Sequence, residues 1–177
     1  MAIKINTEKR IFTLETKHTM YQMQADTYGV LRHLWYGAKT GCDMSYLQDY
    51  PDVGFSGNPH DAGNDRTYSL DTLPLEYAGA GIGDFRVPAV EAVHADGSCA
   101  LDLRYYSYTV KQGKYAIAGL PALYAGEDEA ETLEVVLRDT ASAVEVTLKY
   151  GVLPELDIVT RCAEIRNLGE APVTLTK

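Results

Sequence analysis

Period-two alternation of apolar and polar positions dominates the chain and predicts strands. In "AVEVTLKYGV", Val144, Val146, Leu148 and Tyr150 share one face while Glu145, Thr147 and Lys149 share the other, the mark of a half-buried strand. "TLEVVLRD" alternates Leu133, Val135 and Leu137 against Glu134 and Arg138, and the polar link "TASA" predicts that the two pair as a hairpin. "DIVTRCAEIRN" repeats the scheme, and "NLGEAP" supplies turn residues before Val173 and Leu175, so a second hairpin is expected there. Nearer the N-terminus, "IFTLET", "TMYQMQ" and "GVLRHLWYG" are strand candidates with Gly29 and Gly37 at their breaks. His33 alternates with Leu31 and Trp35 and reads as a half-buried strand residue. Asp96-Gly97, between two strand-like runs in "AVEAVHADGSCALDLRYYSYTV", is the strongest short hairpin signal in the chain. No window carries a helical stripe of useful length, and "GEDEAETLEVVLRD" reads as an acidic loop feeding a strand. The expected fold is all-β: an antiparallel β-sandwich of the large type, with long loops and little helix.

One segment fits neither period. From Gln48 to Tyr77 the chain runs without alternation, although loops beyond about 12–15 residues are uncommon unless functional or disordered. Tyr50, Phe55, Tyr68, Leu70, Leu73, Leu75 and Tyr77 are too many large apolar groups for a solvated linker. An ordered loop is expected, with buried anchors and a polar tip carrying Asp52, Asn58, Asp65 and Arg66. From the residues alone two roles for Arg66 stay open: hydrogen bonding to sugar hydroxyls, or an internal salt bridge.

Composition narrows the partners. The 177 residues are 46% apolar and 23% charged, enough for a core of their own, and one domain is the default count. A formal charge of -9 and a pI near 4.8 argue against nucleic acid or an anionic membrane, because no basic stretch is available to release phosphate counterions; a neutral ligand such as a sugar is unaffected. Cys42, Cys99 and Cys162 lie far apart and are odd in number, so they read as reduced thiols in a cytosolic protein. "MAIKINTEKR" lacks the apolar core of a signal peptide, and no apolar run approaches the ~18 residues of a membrane span.

Motifs for chemistry are sparse. His18, His33, His60 and His94 have no metal-site spacing, so neither metal nor other cofactor is expected. "GAGIGDF" lacks the Lys-Ser/Thr ending and following helix of a phosphate loop and reads as an irregular, glycine-permitted turn. No G-x-S-x-G elbow is present, and Glu127, Asp128, Glu129 and Glu131 read as a solvated acidic loop.

Five blocks, "DRTYSLDTLPLEY", "GDFRVPA", "GKYAIAGLPALY", "EAETLEVVLRD" and "VTRCAEIRN", resemble in residues and order the N-terminal domain of bacterial α-galactosidases of glycoside hydrolase family 36. The resemblance implies a parent enzyme with a catalytic (β/α)8 barrel and a C-terminal β-domain. A barrel takes roughly 250 residues, so both are expected beyond Lys177, with this chain as one N-terminal domain over 1–177 and no catalytic residue within it. It further implies hydrolysis of terminal α-linked galactose from raffinose- or melibiose-type oligosaccharides, a cytoplasmic homo-oligomer (a tetramer), and a loop that reaches a neighbouring subunit's barrel. Carried over residue by residue, the loop's substrate-binding positions are Arg66 in "DRTYS" and Asp52, three before Phe55-Ser56, with Asp49 as the substitute if the register slips. Two other classes stand beside this one. A free-standing carbohydrate-binding sandwich would stack sugars on Trp35, Tyr36 and the tyrosines. A structural or oligomerisation domain would hold Arg66 in a bridge to Asp65 or Asp71.

Overall fold

The computed structural model describes residues 1–48, 58–139 and 141–177. Ten strands follow in chain order: β1 (Ile3–Asn6), β2 (Ile11–Glu15), β3 (Thr19–Ala25), β4 (Leu31–Ala38), β5 (Ala92–His94), β6 (Arg104–Gln112), β7 (Glu131–Asp139), β8 (Val144–Leu153), β9 (Ile158–Asn167) and β10 (Val173–Leu175). Helix among the described residues is confined to three short 3-10 turns, Ser45–Gln48, His60–Ala62 and Pro154–Leu156. Strands β1-β2-β3-β4 form one antiparallel meander, β6-β7-β8-β9 a second, and β5 and β10 a two-stranded ribbon.

The two meanders face each other across one core. Phe12, Leu14, Met23 and Leu31 of the first meet Leu133, Val135, Leu137, Val146, Leu148 and Tyr150 of the second, all essentially dry. Each fully buried large side chain contributes about 1.5–3 kcal/mol over its exposed state, which makes this layer the main source of stability. The antiparallel sandwich with long loops and little helix is therefore the fold present. The buried carboxylate of Glu131, opening β7, stitches the sheets further by accepting the backbone N–H groups of Ala2 (2.7 Å) and Ile3 (2.8 Å). That bond holds β1, a strand too short to show in the alternation.

The β7–β8 hairpin forms as its alternation predicts, with Leu133 opposite Tyr150 and Leu137 opposite Val146. Two expected hairpins do not form. After "NLGEAP" the chain does not fold back on β9; Val173 pairs with His94 and Leu175 with Ala92, so β10 joins β5 instead. Asp96-Gly97 does make its tight turn, with Gly97 N–H donating to His94 O and His94 N–H to Ser98 O, but the second limb leaves at once. β6 begins only at Arg104 and pairs with β7 in the other sheet. In both cases the turn chemistry was local and the partner was chosen by burial elsewhere.

A bulge in β4 decides a face. Gln22 pairs with Trp35 but Met23 pairs with His33, so Leu34 is the extra residue. His33 and Tyr36 thereby face Tyr21, while Leu34 and Trp35 turn to the opposite face with Ile11, Met20 and Met44. The simple alternation placing His33 and Trp35 together is thus wrong by one residue. Gly37 lies inside β4 and does not break it.

Candidate functional site

The long connection between β4 and β5 carries the loop of interest. Its first part, residues 39–48, lies on the outer face of the first sheet: Met44 is buried there, its N–H held by Gln22 Oε1 at 2.9 Å. Asp49 and Asp52, the two alternatives for the loop aspartate, lie outside the described residues. The chain is described again from Asn58.

Arg66 is exposed, at the tip of a short, tightly turned segment. Before it, Pro59 opens the 3-10 turn His60–Ala62 and Gly63 closes it at φ 58°. Asp65 Oδ1 accepts both the N–H (2.9 Å) and the hydroxyl (2.6 Å) of Thr67, and Asn58 donates its amide to Asp65 O. The Thr67 bonds hold the Asp65 carboxyl below the usual carboxylate range. Asp71, the other carboxylate considered for a bridge to Arg66, accepts the Ser69 hydroxyl.

Beyond the tip the loop is anchored. Ala62, Tyr68, Leu70 and Leu73 are buried together with Val30, so the apolar half of the segment packs on the sheet as its composition requires. Tyr68 donates to Asp26 Oδ2 at 2.5 Å and sets its ring edge on Tyr28, centroids 4.7 Å apart. Burial, reinforced by the Asp26 carboxylate, pushes the Tyr68 phenol well above its ordinary value. Residues 74–76 then run beside β4: His33 N–H donates to Pro74 O (2.8 Å) and Glu76 N–H to Leu31 O (2.9 Å). Arg86, in the block "GDFRVPA", clasps the same loop from outside, donating to Leu70 O (2.9 Å) and Leu73 O (2.6 Å) while paired with Asp84 at 2.8 Å.

Where the loop meets both sheets sits a buried charge cluster invisible in the sequence pattern. The Glu76 carboxylate accepts the hydroxyls of Tyr21 (2.7 Å) and Tyr150 (2.7 Å), stands 3.2 Å from His33 Nδ1, and is paired with Arg161 at 3.2 Å. Arg161 also donates to Glu76 O at 2.6 Å. Burial opposes the Glu76 charge, but His33, Arg161 and the two tyrosines outweigh it and hold the group below its ordinary value. The sequence signal was faint: Glu76 follows a single proline set between two leucines in "TLPLEY", the one acid in that short run. An open cavity of about 460 Å³ borders the cluster, with Glu76, Asp84, Arg86 and Arg161 on its wall and Val87 exposed at its rim.

Glu76 is engaged by its partners, and Asp26, Asp65, Asp71 and Asp84 are held in turns, hydrogen bonds or ion pairs. Among the described residues, no group of three or more His, Cys, Asp or Glu is placed to hold a metal ion. No helix among them is long and apolar enough to cross a membrane. "GAGIGDF" is an irregular turn whose glycines admit another backbone: a Cβ on Gly79 would lie 2.0 Å from Leu101 O. Trp35 is packed beside Met44 and donates to Ala38 O at 3.3 Å, so it does not present a stacking platform; Tyr36 alone of the pair is exposed.

Residues 29–177 match the model of the glycosyl hydrolase family 36 N-terminal domain. The chain belongs to this family. It is 52% identical over its whole length to the bifunctional α-galactosidase/sucrose kinase AgaSK of Mediterraneibacter gnavus, covering 19% of that protein. The solved galactosidase domain of AgaSK superimposes with a TM-score of 0.96 over 98% of the chain and 24% of that structure. α-Galactosidase 1 of Pediococcus pentosaceus is 39% identical over 99% of the chain and 24% of its own length. A variant of AgaA from Geobacillus stearothermophilus, solved in complex with raffinose, is 38% identical with a TM-score of 0.87, covering 93% of the chain and 23% of that structure. This family 36 N-terminal domain thus spans about a quarter or less of the relatives it matches.

Proposed function

We propose that the chain is the N-terminal domain of a retaining α-galactosidase that removes terminal α-linked galactose from raffinose- or melibiose-type oligosaccharides. In this reading the catalytic (β/α)8 barrel and a C-terminal β-domain follow residue 177, and the catalytic carboxylates belong to the barrel. There one carboxylate forms the glycosyl-enzyme intermediate and the other protonates the leaving oxygen, then activates water, the pair standing about 5–5.5 Å apart. The N-terminal sandwich supports a cytoplasmic homo-oligomer, a tetramer, and its loop enters the galactose subsite of a neighbouring subunit.

The observation that carries the loop's role is the contrast within it: a buried, multiply tied base supports an exposed arginine residue at the tip. Arg66 donates to ring or hydroxyl oxygens, and Asp52, with Asp49 as its alternative, accepts from sugar hydroxyls. Such a pair orients galactose without touching the scissile bond. α-Galactosidase relatives covering the whole chain, and the raffinose bound by AgaA, support galactosides as the substrate class.

Arg66→Ala in the whole enzyme tests this. Removing one charge-assisted hydrogen bond worth about 1.5–3 kcal/mol lowers kcat/KM roughly ten- to a hundredfold, mostly through KM, with the fold near intact. Wild-type kinetics on both p-nitrophenyl galactoside and raffinose would defeat the proposal.

A further inference from the structure

We propose that the buried Tyr68–Asp26 hydrogen bond is the positioning device for Arg66, fixing where its guanidinium meets the sugar. This inference rests on the reading that Arg66 binds galactose. Asp26 is 6% exposed and is built into the β3–β4 turn: its Oδ1 accepts the N–H groups of Tyr28 and Val30, each at 2.9 Å, and its own N–H donates to Val30 O at 3.0 Å. Its second oxygen, Oδ2, takes the Tyr68 hydroxyl. Tyr68 is therefore referenced to the rigid sheet, and Arg66 lies two residues before it.

The other side of the tip is referenced to the same turn. Asp61 pairs with Arg104 at 3.4 Å, and Arg104 donates to Tyr28 O at 3.1 Å while gripped by Asp102 at 2.6 Å. Arg66 thus stands between two points tied to residues 26–28. Leu70 and Leu73 already bury the loop, so the hydroxyl is not needed for attachment. Apolar packing tolerates sliding, whereas a charge-assisted O–H···O bond fixes distance and direction. A displacement of about 1 Å in a binding group can cost about a hundredfold, so register at this point carries functional weight.

The experiment is a double-mutant cycle in the whole enzyme with Tyr68→Phe, Arg66→Ala and the double variant, reading kcat and KM on raffinose alongside thermal melting. Tyr68→Phe keeps the ring against Tyr28 and loses only the hydroxyl. It is expected to raise KM about three- to tenfold with kcat less affected, and to add nothing to KM once Arg66 is alanine. Wild-type KM for Tyr68→Phe beside an impaired Arg66→Ala overturns the inference and leaves the role of Arg66 standing. Effects that multiply in the double variant overturn it too, since they show Tyr68 acting independently of Arg66. An unaffected Arg66→Ala overturns the underlying reading. Should Tyr68→Phe not fold, Asp26→Asn serves the cycle with melting read beside it, as it retains an oxygen for the Tyr28 and Val30 N–H groups and removes the charged acceptor, which also faces Arg32 at 3.5 Å.

Discussion

Glu76→Gln isolates the electrostatics of the buried cluster. The substitution is isosteric and opens no cavity; it removes the charge, keeps one acceptor oxygen and turns an amide NH2 toward groups that are themselves donors. The wholly buried Tyr150 hydroxyl shares the retained oxygen with Tyr21, and the change of its acceptor from carboxylate to neutral amide costs about 1–2 kcal/mol. The half-buried Tyr21 hydroxyl recovers part of its loss from solvent and adds up to about 1 kcal/mol. The Arg161 side chain is 40% exposed, so solvent screens its ion pair and its share is discounted to about 1 kcal/mol or less. Together these give about 1–4 kcal/mol. In a chain of this size each kcal/mol shifts the melting temperature by about 2–4 °C, so a loss of roughly 2–16 °C is expected by calorimetry or circular dichroism at neutral pH. The deficit also has a pH signature. Because the folded Glu76 carboxyl lies below its ordinary value of 4.5, its contribution is complete above that value and disappears as pH falls through the folded value. Wild type and variant should therefore converge in acid. A Glu76→Gln protein melting within about 2 °C of wild type at neutral pH, or a deficit constant down to the acid transition, would refute the reasoning.

Two further outcomes follow from the same geometry. Gly79→Ala places a methyl 2.0 Å from the Leu101 carbonyl oxygen, a backbone atom that cannot swing aside; a loss of at least about 2–3 kcal/mol in urea titration is expected, while Gly83→Ala, with open space around it, pays only for its positive φ, about 1–2 kcal/mol. Carboxyls at Asp43 (held down to about 2 chiefly by Lys9), Asp84 (burial overcome by Arg86) and Asp157 (chiefly by His18) all sit below their ordinary values, so stability is highest above about pH 5 and declines with acid toward pH 2, read from denaturation midpoints.

Reading strands from alternation succeeded where one face meets the core and the partner is next in sequence. β7 and β8 are such a pair: the inward set Leu133, Val135 and Leu137 against Val146, Leu148 and Tyr150 is written in period two, and a slip of one residue would expose all of it. The anchoring of the aperiodic loop was also legible, since Tyr68, Leu70 and Leu73 are too apolar to leave in water. Arg66 emerged from a motif, and the structure leaves it exposed on the loop. Register in β4, by contrast, turned on a bulge at Leu34 that no local residue announces, and it moved Trp35 off the face of His33.

What the chain determined by itself was the fold class, the β7–β8 hairpin and the burial of Tyr68, Leu70 and Leu73, because alternation and apolar content are local quantities. Tertiary structure decided the rest. β10 pairs with β5 across some eighty residues, and Glu76 draws its partners from β3, β4, β8 and β9. Such arrangements depend on desolvation, which exists only once both sheets close over the site. A carboxylate in "TLPLEY" is an ordinary exposed acid until Tyr150 and Arg161, from far along the chain, are folded onto it.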